Sequence, residues 1–181
     1  MVRNSQSRVP VRVRDLSLFA GRASACLRLG QSHFDVTLVS DARMRRLNQV
    51  FRGKSATTDV LSFPWNDRTE MANGKGGGFL GDIVISALAA RRSALVEGHS
   101  IAIEMKQLIL HGLLHLLDYD HETDDGEMNE LELDLRRRLG IEGLPASEKA
   151  KSKNQKAKTV VRERVFVAGA FCSDRSEQVG E

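Results

Sequence analysis

A chain of 181 residues, 41% hydrophobic and 28% charged, can bury one substantial core and has the balance of a globular protein rather than a disordered or fibrous one. Its apolar runs are broken by charges or histidines, which argues against a membrane span, and its arginine-bearing start lacks the apolar stretch of a secretory signal. The net charge of +3 is uneven: residues 1–59 carry 11 Lys/Arg against 4 Asp/Glu, residues 60–146 carry 8 against 15, and residues 147–181 carry 8 against 5.

Basic ends around an acidic middle suit a polyanionic partner, although solvated surface charge gives the same count. Cys26 and Cys172 match no disulfide framework or cysteine zinc pattern and read as reduced thiols of a cytoplasmic protein.

VPVRVRD (9–15) alternates apolar and charged residues and predicts a half-buried strand. LFAGRASACLRLG (18–30) predicts a helix with Leu18, Ala25 and Leu29 inward and Gly30 as its C-cap. FDVTLVSD (34–41) is rich in β-branched residues and predicts a strand. Ser40 or Asp41 then caps a helix, ARMRRLNQVF, that turns Met44, Leu47 and Phe51 inward. DVLSFPW (59–65) reads as a short buried strand ended by Pro64.

Residues 66–78 are turn chemistry and read as a loop, and GDIVIS (81–86) is a further strand. Ser86 caps the next helix and Gly98 closes it; Ser100 opens IAIEMKQLILHGLLHLL, apolar enough to be the central buried helix. Asp124 and Glu127 resemble a capping box for a last helix that Gly140 ends. The order predicts an α+β fold: a mixed four-stranded sheet with helices mainly on one face and the histidine-bearing helix central. Residues 1–146 form the domain. Residues 147–181, lysine-rich at first, read as a flexible basic tail, with VVRERVFVAGAF (160–171) as a candidate extra strand.

HGLLHLLDYDH (111–121) holds three of the five histidines. Residues four apart share a helical face, so His111 and His115 present their imidazoles side by side. His121 joins them only if Leu117-Asp118-Tyr119 ends the helix and turns the chain back, and Asp118 tolerates the left-handed backbone such a turn needs. Imidazoles buried in so apolar a helix need partners to offset desolvation, which zinc supplies. Three neutral histidines leave zinc an open position, the arrangement of a catalytic site. The metzincin proteases have the same ligand spacing, but their pattern places a glutamate base after the first histidine, and here that residue is Gly112. Asp118, Asp120 and Glu122 are nearby carboxylates that could serve as proton acceptors, as partners of the histidines, or only as solvated surface.

In LNQVFRGKSATTDVLSFPW (47–65), Arg52 can grip a phosphate bidentately and Lys54 adds a point charge. A helix-end Arg-Gly-Lys also serves dipole complementation and turn chemistry.

Together with GGFLGDIVIS and HGLLHLLDYDHE, this stretch resembles the signature blocks of the YbeY family, in order, over about Leu38 to Leu139. The resemblance implies a zinc-dependent, single-strand-specific endoribonuclease of the cytoplasm that acts in 16S rRNA 3′-end maturation and ribosome quality control. It implies one Zn2+ on His111, His115 and His121, catalytic roles for Arg52 and His115, and Arg52 and Lys54 as substrate contacts. RNA and the small ribosomal subunit are the implied partners. Asp118 stands where the family usually has glycine, and the tail after residue 146 exceeds the family core. With one Tyr and one Trp, the composition favours recognition by phosphate and shape over extensive base stacking. A zinc metalloprotease-like hydrolase, or a ribosome-associated RNA-binding factor with structural zinc, are the alternative readings.

Overall fold

The computed structural model describes residues 1–65, 77–119 and 126–142. Nine elements follow one another among them: β1 (Val2–Asn4), α1 (Val13–Cys26), β2 (His33–Val39), α2 (Asp41–Arg52), β3 (Val60–Pro64), β4 (Phe79–Ser86), α3 (Ala87–Glu97), α4 (Ile101–Leu116) and α5 (Glu127–Leu139). The sheet order is β1-β2-β4-β3, with only the β3–β4 pair antiparallel. The fold is α+β with a mixed four-stranded sheet, as the element order predicts.

Alternation along the strands gives the sheet two unlike faces. Phe34, Val36 and Leu38 of β2, with Ile83 and Ile85 of β4, enter the larger core together with Leu16 and Phe19 of α1 and Met128 and Leu135 of α5. α4 runs through that core and buries Leu108, Ile109, Leu110, Leu113, Leu114 and Leu116. Each such side chain is worth about 1.5–3 kcal/mol, which makes α4 the main apolar contributor. On the opposite face α2 seats Met44 over Val39 and Leu61. Ser40, Ser86 and Ser100 cap α2, α3 and α4 through their hydroxyl oxygens, as expected.

The first thirty residues depart from expectation. Val9 and Val11 do turn inward and Pro10 and Arg12 outward, yet 9–15 is not a strand: α1 begins at Val13, and the strand is Val2–Asn4. The Gln6 side-chain amide takes the place of a neighbouring strand, accepting from Val9 N–H and donating to Val9 C=O, both at 2.9 Å. α1 buries Leu16, Phe19 and Ala23 instead of the predicted face, leaves Leu18 61% exposed, and ends at Cys26 with Arg28 in the left-handed region (φ 55°). Phe51, expected inward, is 49% exposed. α5 starts at Glu127 with Gly126 at the N-cap and no side-chain cap bond. Asp120, His121, Glu122, Asp124, loop residues 66–76, the 160–171 strand and the 147–181 tail lie outside the described residues. No helix among the described residues is long and apolar enough to cross a membrane.

Candidate active site

α4 carries a polar stripe on a largely apolar cylinder: Glu104, Gln107, His111 and His115, spaced three and four apart. The two imidazoles stack on adjacent turns, ring centroids 4.8 Å apart and planes at 81°; His115 is fully buried. The helix then stops as the turn hypothesis requires. Tyr119 N–H donates to Leu114 C=O and Asp118 N–H to His115 C=O, both at 3.1 Å, a Schellman closure with Asp118 at φ 67°. The helix therefore ends at Leu116, one residue after His115, with Leu117 as its C-cap.

His111 has a partner that sequence reading missed. Its Nδ1–H donates to Glu132 Oε2 of α5 at 2.8 Å, and Arg136 donates to the other carboxylate oxygen. Burial alone would raise the Glu132 pKa, but the His111 hydrogen bond, the His111 charge and Arg136 outweigh it and hold the group below the ordinary glutamate range. An ionised Glu132 fixes the His111 tautomer with its proton on Nδ1, which makes Nε2 the donor atom for a metal. A histidine so held is the usual form of a zinc ligand. The two described imidazoles thus fit an imidazole-liganded zinc ion. Among the described residues no set of three or more His, Cys, Asp or Glu is gathered to hold one, His121 lying outside them. A signal for Glu132 was present: it is the acid in an otherwise apolar stripe of α5, Met128, Leu135 and Leu139.

Gly112 faces the sheet. A Cβ there would stand 2.8 Å from Ile83 Cγ2 and 3.0 Å from Ser62 Oγ, and that hydroxyl donates to Gly112 C=O at 3.2 Å. The position that holds a protease's base is spent on bringing α4 against β3 and β4, with no room for a glutamate.

Arg52 is the last residue of α2 and is half-buried; Gly53 (φ 67°) caps the helix, and Lys54 follows, exposed. Buried Asn48 ties this turn down, its Nδ2 donating to Ala56 C=O at 2.7 Å. The segment beyond leads around the sheet edge to Asp59, whose Oδ1 accepts from Val60 N–H at 2.9 Å and from Thr58 Oγ1 at 3.3 Å. Burial pushes the Asp59 carboxyl up, against its backbone hydrogen bonds and the field of His111. Burial likewise raises Glu104, opposed by its His99 partner at 2.5 Å and reinforced by the charge of Asp59. Asp59 thus stands where the segment that follows Arg52 enters β3.

Residues 4–140 match the family described as endoribonuclease YbeY. Endoribonuclease YbeY proteins of several organisms are similar to the chain. The one from Solibacter usitatus is 47% identical over 108 residues, 60% of this chain and 67% of that protein. The one from Nautilia profundicola is 42% identical over 62% of this chain and 76% of its own length, and the one from an Anaeromyxobacter species 39% over 75% and 69%. The solution structure of TM1509 from Thermotoga maritima superposes with a TM-score of 0.51 at 25% identity, covering 82% of this chain and all of that one. With three quarters of its length matched and the same fold, the chain belongs to the YbeY endoribonuclease family.

Proposed function

We propose that this protein is a zinc-dependent, single-strand-specific endoribonuclease that acts on ribosomal RNA of the small subunit, in 16S rRNA 3′-end maturation and ribosome quality control in the cytoplasm. The observation that carries the reading is the His111–His115 pair on adjacent turns of a buried helix, backed by Glu132, in a chain of this family. His111, His115 and His121 are the proposed ligands of one Zn2+. When bound, such an ion supplies Lewis acidity, polarising a phosphoryl oxygen and making water easier to deprotonate.

The chain's own groups do the rest. Glu132, clamped by Arg136, holds the His111 proton on Nδ1 and so fixes the ring's direction. Arg52, on a turn anchored by Asn48, is proposed to bind the scissile phosphate and offset charge that develops on it, and Lys54 to hold the neighbouring phosphate. The protease alternative loses its base to helix–sheet packing at Gly112.

Purified protein with zinc is expected to cleave single-stranded RNA and leave a casein-type substrate intact. His115→Ala is expected to lose both bound zinc and cleavage. Arg52→Ala should retain zinc and lose cleavage by about 100-fold, the scale of removing one charge-stabilising group. RNA cleavage that survives His115→Ala would sink the metal-centred reading. Stoichiometric zinc and RNA binding without turnover would move the assignment to a binding factor.

A further inference from the structure

Among the described residues, the face of the sheet opposite the larger core is covered by α2 alone, over Val39, Leu61 and Val84. Past the end of α2 that face carries a row of rings. Phe51, in the last turn of α2, meets Phe63 of β3 edge-on at 4.9 Å between centroids. Trp65 points to the same side two residues further on, and meets Phe79 at 5.9 Å; Phe79 meets His33 at 5.4 Å. Phe51 and Trp65 stay 49% and 56% exposed, although burying rings of this size is worth about 1.5–3 kcal/mol each. Rings kept open in a row form a surface suited to a flat, π-faced ligand.

Charge selects which one. Arg52 follows Phe51 directly and Lys54 stands two residues on, in the segment that runs from α2 to Asp59 before the edge strand β3. The middle of the same face carries paired charges: Asp82 lies opposite Phe63 in register and beside Asp35, which the N-terminal ammonium holds at 2.6 Å and Arg3 at 3.0 Å. Phosphates are attracted to the Arg52 side, while bases can lie over the rings. A polyanion with free aromatic faces is an unpaired nucleic-acid strand.

We propose that the row formed by Phe51, Phe63, Trp65 and Phe79 is a stacking platform that receives unpaired bases of the RNA substrate, with the backbone phosphates held on the Arg52 side. The proposal rests on the endoribonuclease reading and adds where the strand lies and why a duplex is refused, since paired, stacked bases have no free face to offer. It departs from the low Tyr and Trp count, because phenylalanines make up most of the row.

Trp65 is the only tryptophan in the chain, so its fluorescence reports on the platform directly. The full-length, zinc-loaded protein is titrated with single-stranded oligodeoxyadenylate and with an abasic oligodeoxy strand of equal length and charge. The base-bearing strand should quench Trp65 and bind about 10-fold or more tighter than the abasic one, as stacking of one or two bases implies. Trp65→Ala should remove that advantage while leaving abasic binding unchanged, and Phe51→Leu, which keeps an apolar side chain of similar reach, should reduce it. Equal binding of the two strands with no quenching, in a protein that still cleaves RNA, overturns the platform and leaves the endoribonuclease reading standing. Failure to bind either strand together with failure to cleave RNA overturns both. The wild-type quenching experiment needs no variant, so poor folding of a substituted chain does not shield the proposal.

Discussion

Asp118 shows how one residue's backbone sets the site. At φ 67° it occupies the position after a helix where glycine is usual, and it closes α4 three residues past His115. Left-handed backbone costs most L-residues about 1–2 kcal/mol, and aspartate somewhat less because its short polar side chain bonds locally. Asp118→Gly removes that strain while adding freedom to the unfolded chain, so a net gain of about 0.5–1 kcal/mol is expected. The readout is an upward shift of the denaturation midpoint with an unchanged slope. A downward shift would show that the aspartate side chain contributes more than its backbone costs.

At the scale of the element, α4 reconciles two demands, an apolar face for the core and a polar stripe for the chemistry, and Gly112 is where they meet. Helix propensity favours alanine over glycine by about 1 kcal/mol in a helix interior. At 112, however, the new methyl would overlap Ile83 Cγ2 and press on Ser62 Oγ, and overpacking of a core costs about 1–3 kcal/mol. Gly112→Ala is therefore expected to destabilise on balance, by about 1 kcal/mol, in thermal unfolding. Stabilisation would show that α4 can lift from the sheet freely, and would reopen the position to a side chain such as a protease's glutamate. β1 and 9–15 give the opposite lesson about elements. Alternation correctly marked which of Val9, Pro10, Val11 and Arg12 face inward, but alternation reports burial and not strand pairing, and Gln6 satisfied the backbone at Val9 instead.

Across the whole molecule, one ion pair ties the two sides of the sheet's end together. Asp41 at the start of α2 accepts from Ser86, which closes β4 and caps α3, and pairs with Arg92 of α3 at 2.7 Å. Burial works against the Asp41 charge, but the Ser86 and Arg92 hydrogen bonds prevail, and its carboxyl sits below the ordinary aspartate value of 3.8. A depressed folded-state pKa gives stability that is complete above the unfolded value and is lost as pH falls through the folded one. Stability should therefore decline as pH drops below about 4, and Asp41→Asn should flatten part of that decline in urea unfolding measured from pH 7 to pH 3. Because Arg92 is half exposed, the effect should also shrink in high salt.

Local chemistry was enough to read much of this protein. Serine caps, glycine stops and β-branched runs are determined within a few residues, so β2 to β4 and α2 to α4 are legible from the chain, as are the His111–His115 pair and the Arg52 turn. Glu132 behind His111, the packing that empties position 112, Asn48 under the Arg52 turn, and the ring row from Phe51 to His33 join residues as far as about fifty positions apart. Such contacts depend on register and helix placement, which a one-residue shift would undo, and only the tertiary structure decides them.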